Sequence, residues 1–209
     1  MSSEKSGKVK KVSAGNKKTF SWPIIIGSIL ILVSLSIPLK TFAPVISSEI
    51  KYQVSPPQKN IEIAPVDTNF SIVIPKIAAN AKVVKNVDPF NSQIYQQALT
   101  QGVAHASTSD TPDKSGNVFI FAHSAGNWYQ ANQYNAVFYL LNKLNSGDEI
   151  FVYYQNQKYT YSVNEIKFVS SNEISYLSNK LNTNTLTLMT CWPPGTTLKR
   201  LLVTATLKK

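Results

Sequence analysis

The segment that most restricts the fold lies near the C-terminus and reads NTLTLMTCWPPGTTLKRLLVTATL over residues 184–207. Leucine alternates with threonine or methionine over Thr185–Thr190, which is the period-two pattern of a half-buried strand. A turn must follow at Pro193-Pro194-Gly195, because proline lacks a backbone donor and glycine permits positive φ. A second β-rich alternation, from Leu198 to Leu207, predicts a return strand. The chain therefore contains a strand-turn-strand unit, which is the start of an antiparallel sheet.

This unit carries two residue types that each occur once in the chain. Cys191 ends the first strand and Arg200 lies near the start of the second. The turn places both at the same end of the sheet. A thiolate can attack a carbonyl carbon, and a guanidinium can stabilise the oxyanion that forms. The alternatives are a small buried hydrophobe for the cysteine and a surface ion pair for the arginine.

A cysteine enzyme also needs a proton carrier near its thiol, and the chain has two histidines. Val118–Ala122 is an apolar run of strand length that delivers His123 at its end. His105 lies in Val103–Asn117, a segment dense in polar residues, glycine and proline that predicts a loop with an exposed histidine. His123 is therefore the predicted acid and base, and His105 is the weaker candidate for a direct role.

Three motifs resemble those of the sortases, a family of membrane-anchored cysteine transpeptidases of the bacterial surface. Thr187–Cys191 (TLMTC) matches the TLxTC signature, and an arginine follows on the next predicted strand as in that family. Gly116–His123 resembles the segment that leads to the family's histidine, except that Ala122 stands where many sortases have glycine. Ile74–Ile77 (IPKI) resembles the opening of the catalytic domain. The resemblance covers about residues 69–207 and implies an eight-stranded β-barrel.

The resemblance also implies a reaction. Cys191 would attack a threonine carbonyl in an LPxTG-like sorting signal, with His123 as general acid and base and Arg200 as the cation at the oxyanion or substrate. An amine of a peptidoglycan precursor or a pilin lysine would then resolve the thioester. Thr190 would support the oxyanion site or the substrate, while Trp192 would either pack over the barrel mouth or contact the peptide. No cofactor and no metal are implied.

The N-terminal region predicts a membrane anchor. Residues 1–19 are rich in lysine, and we expect a disordered cytoplasmic tail. Phe20–Leu39 contains no charged residue and is about the ~20 residues needed for a transmembrane helix. Because the lysines precede this helix, the positive-inside rule places the rest of the chain outside the cell membrane. A cleavable signal peptide is the alternative, disfavoured by the long apolar core and by Pro44 directly after Ala43, the best cleavage site.

Beyond the predicted anchor, residues 40–66 contain four prolines and predict an extended or partly ordered extracellular stalk. Residues 67–209 are the predicted catalytic domain. Its short strands and lack of regular βαβ alternation predict a mainly β fold, most simply a closed or nearly closed barrel with two or three short helices. The predicted strands are Asn69–Pro75, Ala81–Val84, Val118–Ala122, Asp148–Tyr154 and Lys158–Val169; the predicted helices are Asp88–Gln101, Asn135–Asn145 and, as a helix or loop, Ser170–Asn179.

Composition excludes several other functions. Most of the net charge of +10 belongs to the first 59 residues, so the predicted folded part lacks the basic clusters of a nucleic-acid-binding protein. No carboxylates stand at metal-ligand spacing beside the two histidines and the one cysteine, so the sequence does not predict a zinc site. Cross-linking enzymes of the L,D type hold histidine and cysteine in one short segment, whereas here His123 and Cys191 lie 68 positions apart. A non-catalytic, anchored β-domain that binds a wall component or assists assembly of a surface fibre remains the alternative function.

Overall fold

The computed structural model describes residues 22–54, 63–124, 137–177 and 184–208. The chain divides into two compact units, Met1–Ser36 and Ile37–Lys209. The first described element is helix α1, Trp22–Val54. The second unit contains the remaining described elements and all the residues proposed above for the chemistry.

Helix α1 is longer than the helix predicted over Phe20–Leu39. It continues to Val54, through residues that the prolines had suggested would be an extended stalk. In the four ranges that the structure describes, no helix combines the length and apolar character needed to cross a membrane. Residues 20–21, where the predicted transmembrane segment begins, and residues 55–62 of the predicted stalk lie outside those ranges.

Eight strands close into a barrel in the order β1-β2-β3-β4-β7-β8-β6-β5. Two neighbouring pairs, β2 with β3 and β4 with β7, are parallel, and the other pairs are antiparallel. The mainly β barrel of eight strands is therefore confirmed. The strands are β1 Phe70–Ile74, β2 Ala79–Val87, β3 Val103–Ala106, β4 Asn117–Phe121, β5 Glu149–Tyr154, β6 Gln157–Ser170, β7 Thr185–Trp192 and β8 Lys199–Leu207.

The barrel interior follows from the alternation of side chains along the strands. In β7, Leu186 and Leu188 are fully buried, and they face the buried Ala205 and Val203 of β8. A two-residue turn joins β5 to β6, which match the predicted strands Asp148–Tyr154 and Lys158–Val169. Both turn residues, Gln155 and Asn156, have positive φ. Every other residue of the C-terminal strands thus contributes to one apolar core.

In the part of the chain that the structure describes, one α-helix and three 3₁₀ helices accompany the barrel. Helix α2 spans Ser92–Leu99, inside the predicted Asp88–Gln101, and Asn91 caps its first turn through its side-chain oxygen. The 3₁₀ helices are Pro75–Ile77, Tyr139–Lys143 and Ser175–Leu177.

The amphipathic helix predicted over Asn135–Asn145 is wrong in type for its described part. Residues 135–136 lie outside the described ranges, and a 3₁₀ helix covers only Tyr139–Lys143. The buried residues Phe138, Leu141 and Leu144 recur every third position, which matches the three residues per turn of a 3₁₀ helix. The apolar spacing therefore identified the buried residues correctly, although it was assigned to an α-helix and the structure has a 3₁₀ helix.

The outer face of β4 is covered by two of these elements. Phe119 stacks on Tyr176, from the 3₁₀ helix at Ser175–Leu177, with ring centroids 5.9 Å apart. Phe121 meets the edge of Tyr95, from α2, at 6.3 Å. This covered face leads directly to His123, two residues after Phe121.

The predicted position of His105 in an exposed loop is wrong. The residue lies in β3 and its side chain is fully buried. Its Nδ1 accepts the backbone N–H of Asn86 at 3.3 Å, and its Nε2 lies 2.9 Å from the carbonyl oxygen of Asp110. Because that oxygen can only accept, Nε2 carries the hydrogen and the ring is neutral. The turn-forming residues that follow His105 join β3 to β4, and the hydrogen bond from the His105 ring to Asp110 holds this connection against the barrel.

This burial predicts how stability depends on pH. Burial lowers the pKa of His105 below its ordinary 6.5, with Lys85 acting in the same direction and the Asp110 carbonyl opposing. A histidine that is buried in its neutral form stabilises the fold fully at pH values above the unfolded-state pKa of about 6.5. This stabilisation is lost as the pH falls from there towards the lower folded-state pKa. We expect the melting temperature to fall between pH 7.5 and pH 5. The melting temperature of a His105→Gln variant should fall less over the same pH range. An equal fall in the variant and the wild type would show that His105 does not cause the pH dependence.

Candidate active site

Cys191 and Arg200 occupy directly opposite positions in the antiparallel pair β7 and β8. Paired residues point to the same face of a sheet, so the thiol and the guanidinium share a face. The Arg200 Nη1 donates to the carbonyl oxygens of Thr197 at 3.1 Å and Lys199 at 3.2 Å, which holds the guanidinium at this end of the barrel. The predicted proximity of the single cysteine and the single arginine is therefore confirmed, with β7 continuing through Cys191 to Trp192.

His123 reaches the same place through the parallel pair of β4 and β7. All five residue pairs in this ladder, the last of them Phe121 and Met189, differ by the same number of sequence positions. His123 and Cys191 share that offset, and the backbone N–H of Ala122 still donates to the carbonyl of Met189 at 3.1 Å beyond the last pair. The backbone that leads to His123 therefore follows the end of this ladder beside Cys191, on the side of β7 opposite β8. The structure therefore brings Cys191, Arg200 and the segment that leads to His123 to one end of three neighbouring strands.

Thr190 binds the backbone of the residue that precedes His123. Its side chain is buried, and Oγ1 donates to the carbonyl oxygen of Ala122 at 3.0 Å. Since Ala122 directly precedes His123, this bond fixes the end of β4 against β7. The structure thus assigns Thr190 a clear structural contact, while its predicted support of the oxyanion or substrate stays a prediction.

We expect Thr190→Val to lower the free energy of unfolding by about 1–3 kcal/mol, because the buried Ala122 carbonyl would lose its partner. Thr190→Ser is the matched control, since it keeps the hydroxyl and removes only a methyl group. Urea denaturation of the three proteins measures the difference. Equal losses in the valine and serine variants would show that packing, and not the hydrogen bond, stabilises this position.

Trp192 turns away from the thiol. Alternation along β7 places its side chain on the face opposite that of Cys191, and its ring lies 5.4 Å from that of Phe168. The ring is partly buried against the core. This contact supports the packing alternative over direct contact with a peptide held beside Cys191.

Burial opposes ionisation of both reacting groups. Burial raises the pKa of the Cys191 thiol above its ordinary 9.0, and the Arg200 guanidinium partly offsets that rise. Burial also lowers the pKa of the His123 imidazole below its ordinary 6.5. At neutral pH the resting site therefore holds mainly a thiol and a neutral imidazole, and the thiolate with imidazolium is its minor form.

Sequence reasoning missed two residues of this site. Tyr176 is close enough to Cys191 and Arg200 for their charges to act on its phenol, whose pKa is raised chiefly by burial. Gln96 of α2 lies 3.2 Å from His123, measured from Oε1 to Nε2. Neither residue belongs to a motif, and only the packing of distant segments identifies them. Among the described residues, no group of three metal-ligating side chains is present.

Comparison with known proteins assigns the family. A family model described as the sortase domain matches residues 72–208. The chain belongs to the sortase family. The resemblance seen in the three motifs is thereby confirmed, and members of this family are cysteine transpeptidases.

Individual sortases are similar to this chain at moderate identity. Sortase D of Bacillus subtilis (strain 168) is 26% identical over 120 residues, which are 57% of this chain and 52% of that protein, so the chain spans about half the length of this curated relative. The crystal structure of sortase C-1 from Actinomyces oris matches with a TM-score of 0.57 and 28% identity, covering 79% of this chain and 85% of the other.

A Clostridium perfringens sortase D5, described as a transpeptidase, shares the fold with a TM-score of 0.55 at 24% identity, covering 83% of this chain and 98% of the other. Sortase A from Corynebacterium diphtheriae, a lid mutant, matches with a TM-score of 0.55 at 25% identity, over 76% and 79% of the two chains. Structures named sortase A, C and D thus match with similar scores, and the family is assigned without a subclass.

Proposed function

We propose that this sortase is a cysteine transpeptidase that cleaves an LPxTG-like sorting signal and transfers the acyl group to an amine through a thioester on Cys191. The observation that carries the proposal is the convergence of Cys191, Arg200 and the strand end that bears His123 at one end of the barrel. A nucleophile, a cation and a proton carrier at one place are the groups that acyl transfer requires.

In the first half of the reaction, the Cys191 thiolate attacks the threonine carbonyl carbon and a C–S bond forms. The carbonyl oxygen becomes an oxyanion, which the Arg200 guanidinium stabilises. When the intermediate collapses, the C–N bond breaks and the departing amine takes a proton from the His123 imidazolium. The products are a thioester, a free amine and a neutral imidazole.

In the second half, an acceptor amine attacks the thioester carbonyl and gives its proton to His123. The C–S bond breaks, the thiolate and imidazolium are restored, and a new amide bond has formed. The proposed acceptor is an amine of a peptidoglycan precursor or a pilin lysine. Both halves use the charged pair, so the burial that makes this pair a minor form also lowers the fraction of enzyme ready to react.

The direct test incubates the full chain in detergent with a library of LPxTG-like peptides and a lysine-containing acceptor. Mass spectrometry should detect an acyl adduct on Cys191 and a peptide joined to the acceptor amine. If no peptide forms an adduct while iodoacetamide still modifies the folded protein, the transpeptidase proposal fails. Inertness of the thiol until denaturation would favour a non-catalytic wall-binding or fibre-assembly domain.

The proposed location is the cell membrane, with residues 1–19 in the cytoplasm, residues 20–39 as a single transmembrane helix and the catalytic domain outside. Support comes from the uncharged run and from the lysines that precede it. Because Cys191 is the only cysteine, a membrane-impermeant maleimide applied to intact cells labels the chain at one position only. Labelling before lysis is expected, and labelling only after lysis would contradict this orientation.

A further inference from the structure

Helix α2 packs on β2 and β3, and its Tyr95 reaches the strand that leads to the histidine. Asn91 caps its first turn by accepting the backbone N–H groups of Gln93 at 3.1 Å and Ile94 at 3.2 Å. At the other end, Ala98 and Leu99 are buried in the core. A helix that is capped at its start and packed at its end has a defined position, so it can hold side chains with the accuracy that a catalytic site needs.

Two consecutive residues of this helix contact the last residue of β4 and the histidine that follows the strand. Tyr95 packs its ring edge on Phe121 at 6.3 Å, and Gln96 lies within hydrogen-bond distance of His123. Phe121 ends β4 and His123 follows two positions later. The two contacts therefore hold adjacent residues of α2 next to the end of β4 and the histidine that follows it.

The hydrogen bond between the two side chains has a defined direction. The atoms are His123 Nε2 and Gln96 Oε1, 3.2 Å apart. An amide oxygen only accepts hydrogen bonds, so Nε2 must carry the hydrogen. In the neutral ring, the lone pair that can take a proton is then on Nδ1. No other hydrogen bond to this imidazole is present among the described residues.

We propose that Gln96 is the positioning residue of the catalytic histidine: its Oε1 accepts the hydrogen bond from Nε2–H, holds His123 in one tautomer and leaves Nδ1 as the nitrogen that gains and loses the proton. The inference rests on the proposed function of His123 as acid and base. It names a residue that none of the sequence motifs contains.

A neutral acceptor suits this role. The Nε2–H hydrogen is present in both the imidazole and the imidazolium, so the bond to Gln96 persists while Nδ1 is protonated and deprotonated. A carboxylate at the same position would add a negative charge and hold the imidazolium more tightly. An amide orients the ring without that charge, which leaves His123 a stronger acid towards the departing amine.

The test compares Gln96→Leu with Gln97→Leu, the same substitution at the next residue, whose side chain is exposed. Nitrogen-15 NMR of the imidazoles reports the tautomer, and the chain has only two histidines to assign. His105, whose Nε2–H is held by the Asp110 carbonyl, is the internal reference. In the wild type and in Gln97→Leu, both rings should be Nε2–H tautomers. In Gln96→Leu, His123 should become a mixture of tautomers while His105 stays unchanged.

Kinetics give the second readout. We expect Gln96→Leu to lower kcat by about 10- to 100-fold with little change in KM, and Gln97→Leu to match the wild type. An Nδ1–H tautomer for His123 in the wild type, or an unchanged tautomer and kcat in Gln96→Leu, would overturn the proposal. The NMR measurement needs no turnover, so it still decides the role of Gln96 if the protein forms no adduct and the proposed reaction fails.

Discussion

Replacing Cys191 with alanine is expected to abolish the acyl adduct and to lower transpeptidation by about 10⁴-fold or more. The chain has one thiol, and it pairs with Arg200 across β7 and β8 at the strand end that leads to His123. Removing Sγ from a partly exposed position leaves the barrel core intact, so the melting temperature should stay close to that of the wild type. Mass spectrometry and initial rates measure the two effects.

Cys191→Ser is the matched control, because it keeps the shape of the side chain. A hydroxyl in a site that already opposes ionisation of a thiol should be a far weaker nucleophile, so we expect no adduct on the timescale of the wild-type reaction. An acyl adduct on the folded alanine variant would mean that another residue performs the attack, and the mechanism above would then be wrong.

Replacing Arg200 with methionine should lower kcat by about 10²- to 10³-fold, the usual effect of losing an oxyanion donor. It should also slow alkylation of Cys191 at a fixed pH near 8. The Arg200 guanidinium lowers the pKa of this thiol, so its removal raises that pKa and reduces the thiolate fraction. Iodoacetamide rates across a pH series measure this shift, and peptide turnover measures the loss of kcat.

Lys199→Met provides the control for charge alone. Lys199 is the neighbouring cation on β8, and alternation places it on the opposite face, across from Trp192. Its loss should leave both the alkylation profile and kcat near wild type. Arg200→Lys should recover part of the thiol acidity but less of the rate, because an ammonium lacks the planar arrangement of donors. Equal effects of the two methionine variants would indicate a general loss of positive charge instead.

The sequence predicts those parts of the site that depend only on residues close to one another in the chain. The Pro193-Pro194-Gly195 turn joins two adjacent strands, so the pairing of Cys191 and Arg200 follows from local chemistry. The position of His123 depends on a parallel pair between distant segments, and no local pattern gives that register. Its assignment from sequence relied on its place at the end of a predicted strand, on the choice between two histidines and on a family motif.

Residues outside motifs were missed or misplaced because tertiary packing decides their environment. His105 was expected to be exposed since polar, turn-forming residues surround it, yet backbone groups satisfy both ring nitrogens and allow complete burial. Gln96 lies on a short helix and belongs to no motif, and its role emerges only from the side-chain contacts of α2 with Phe121 and His123. When the hydrogen-bond partners of a polar residue are distant in sequence, a single sequence contains no pattern that predicts them.

The parallel ladder between β4 and β7 has a consequence for how this enzyme can change in evolution. Between these two strands, the loops outside β5 and β6 can lengthen or shorten at modest entropic cost without changing the register of β4 and β7. A single residue inserted within either strand would instead turn one of the two side chains to the opposite face of the sheet. Related enzymes are thus free to differ widely in the number of residues between histidine and cysteine, while insertions and deletions inside these two strands should be eliminated by selection.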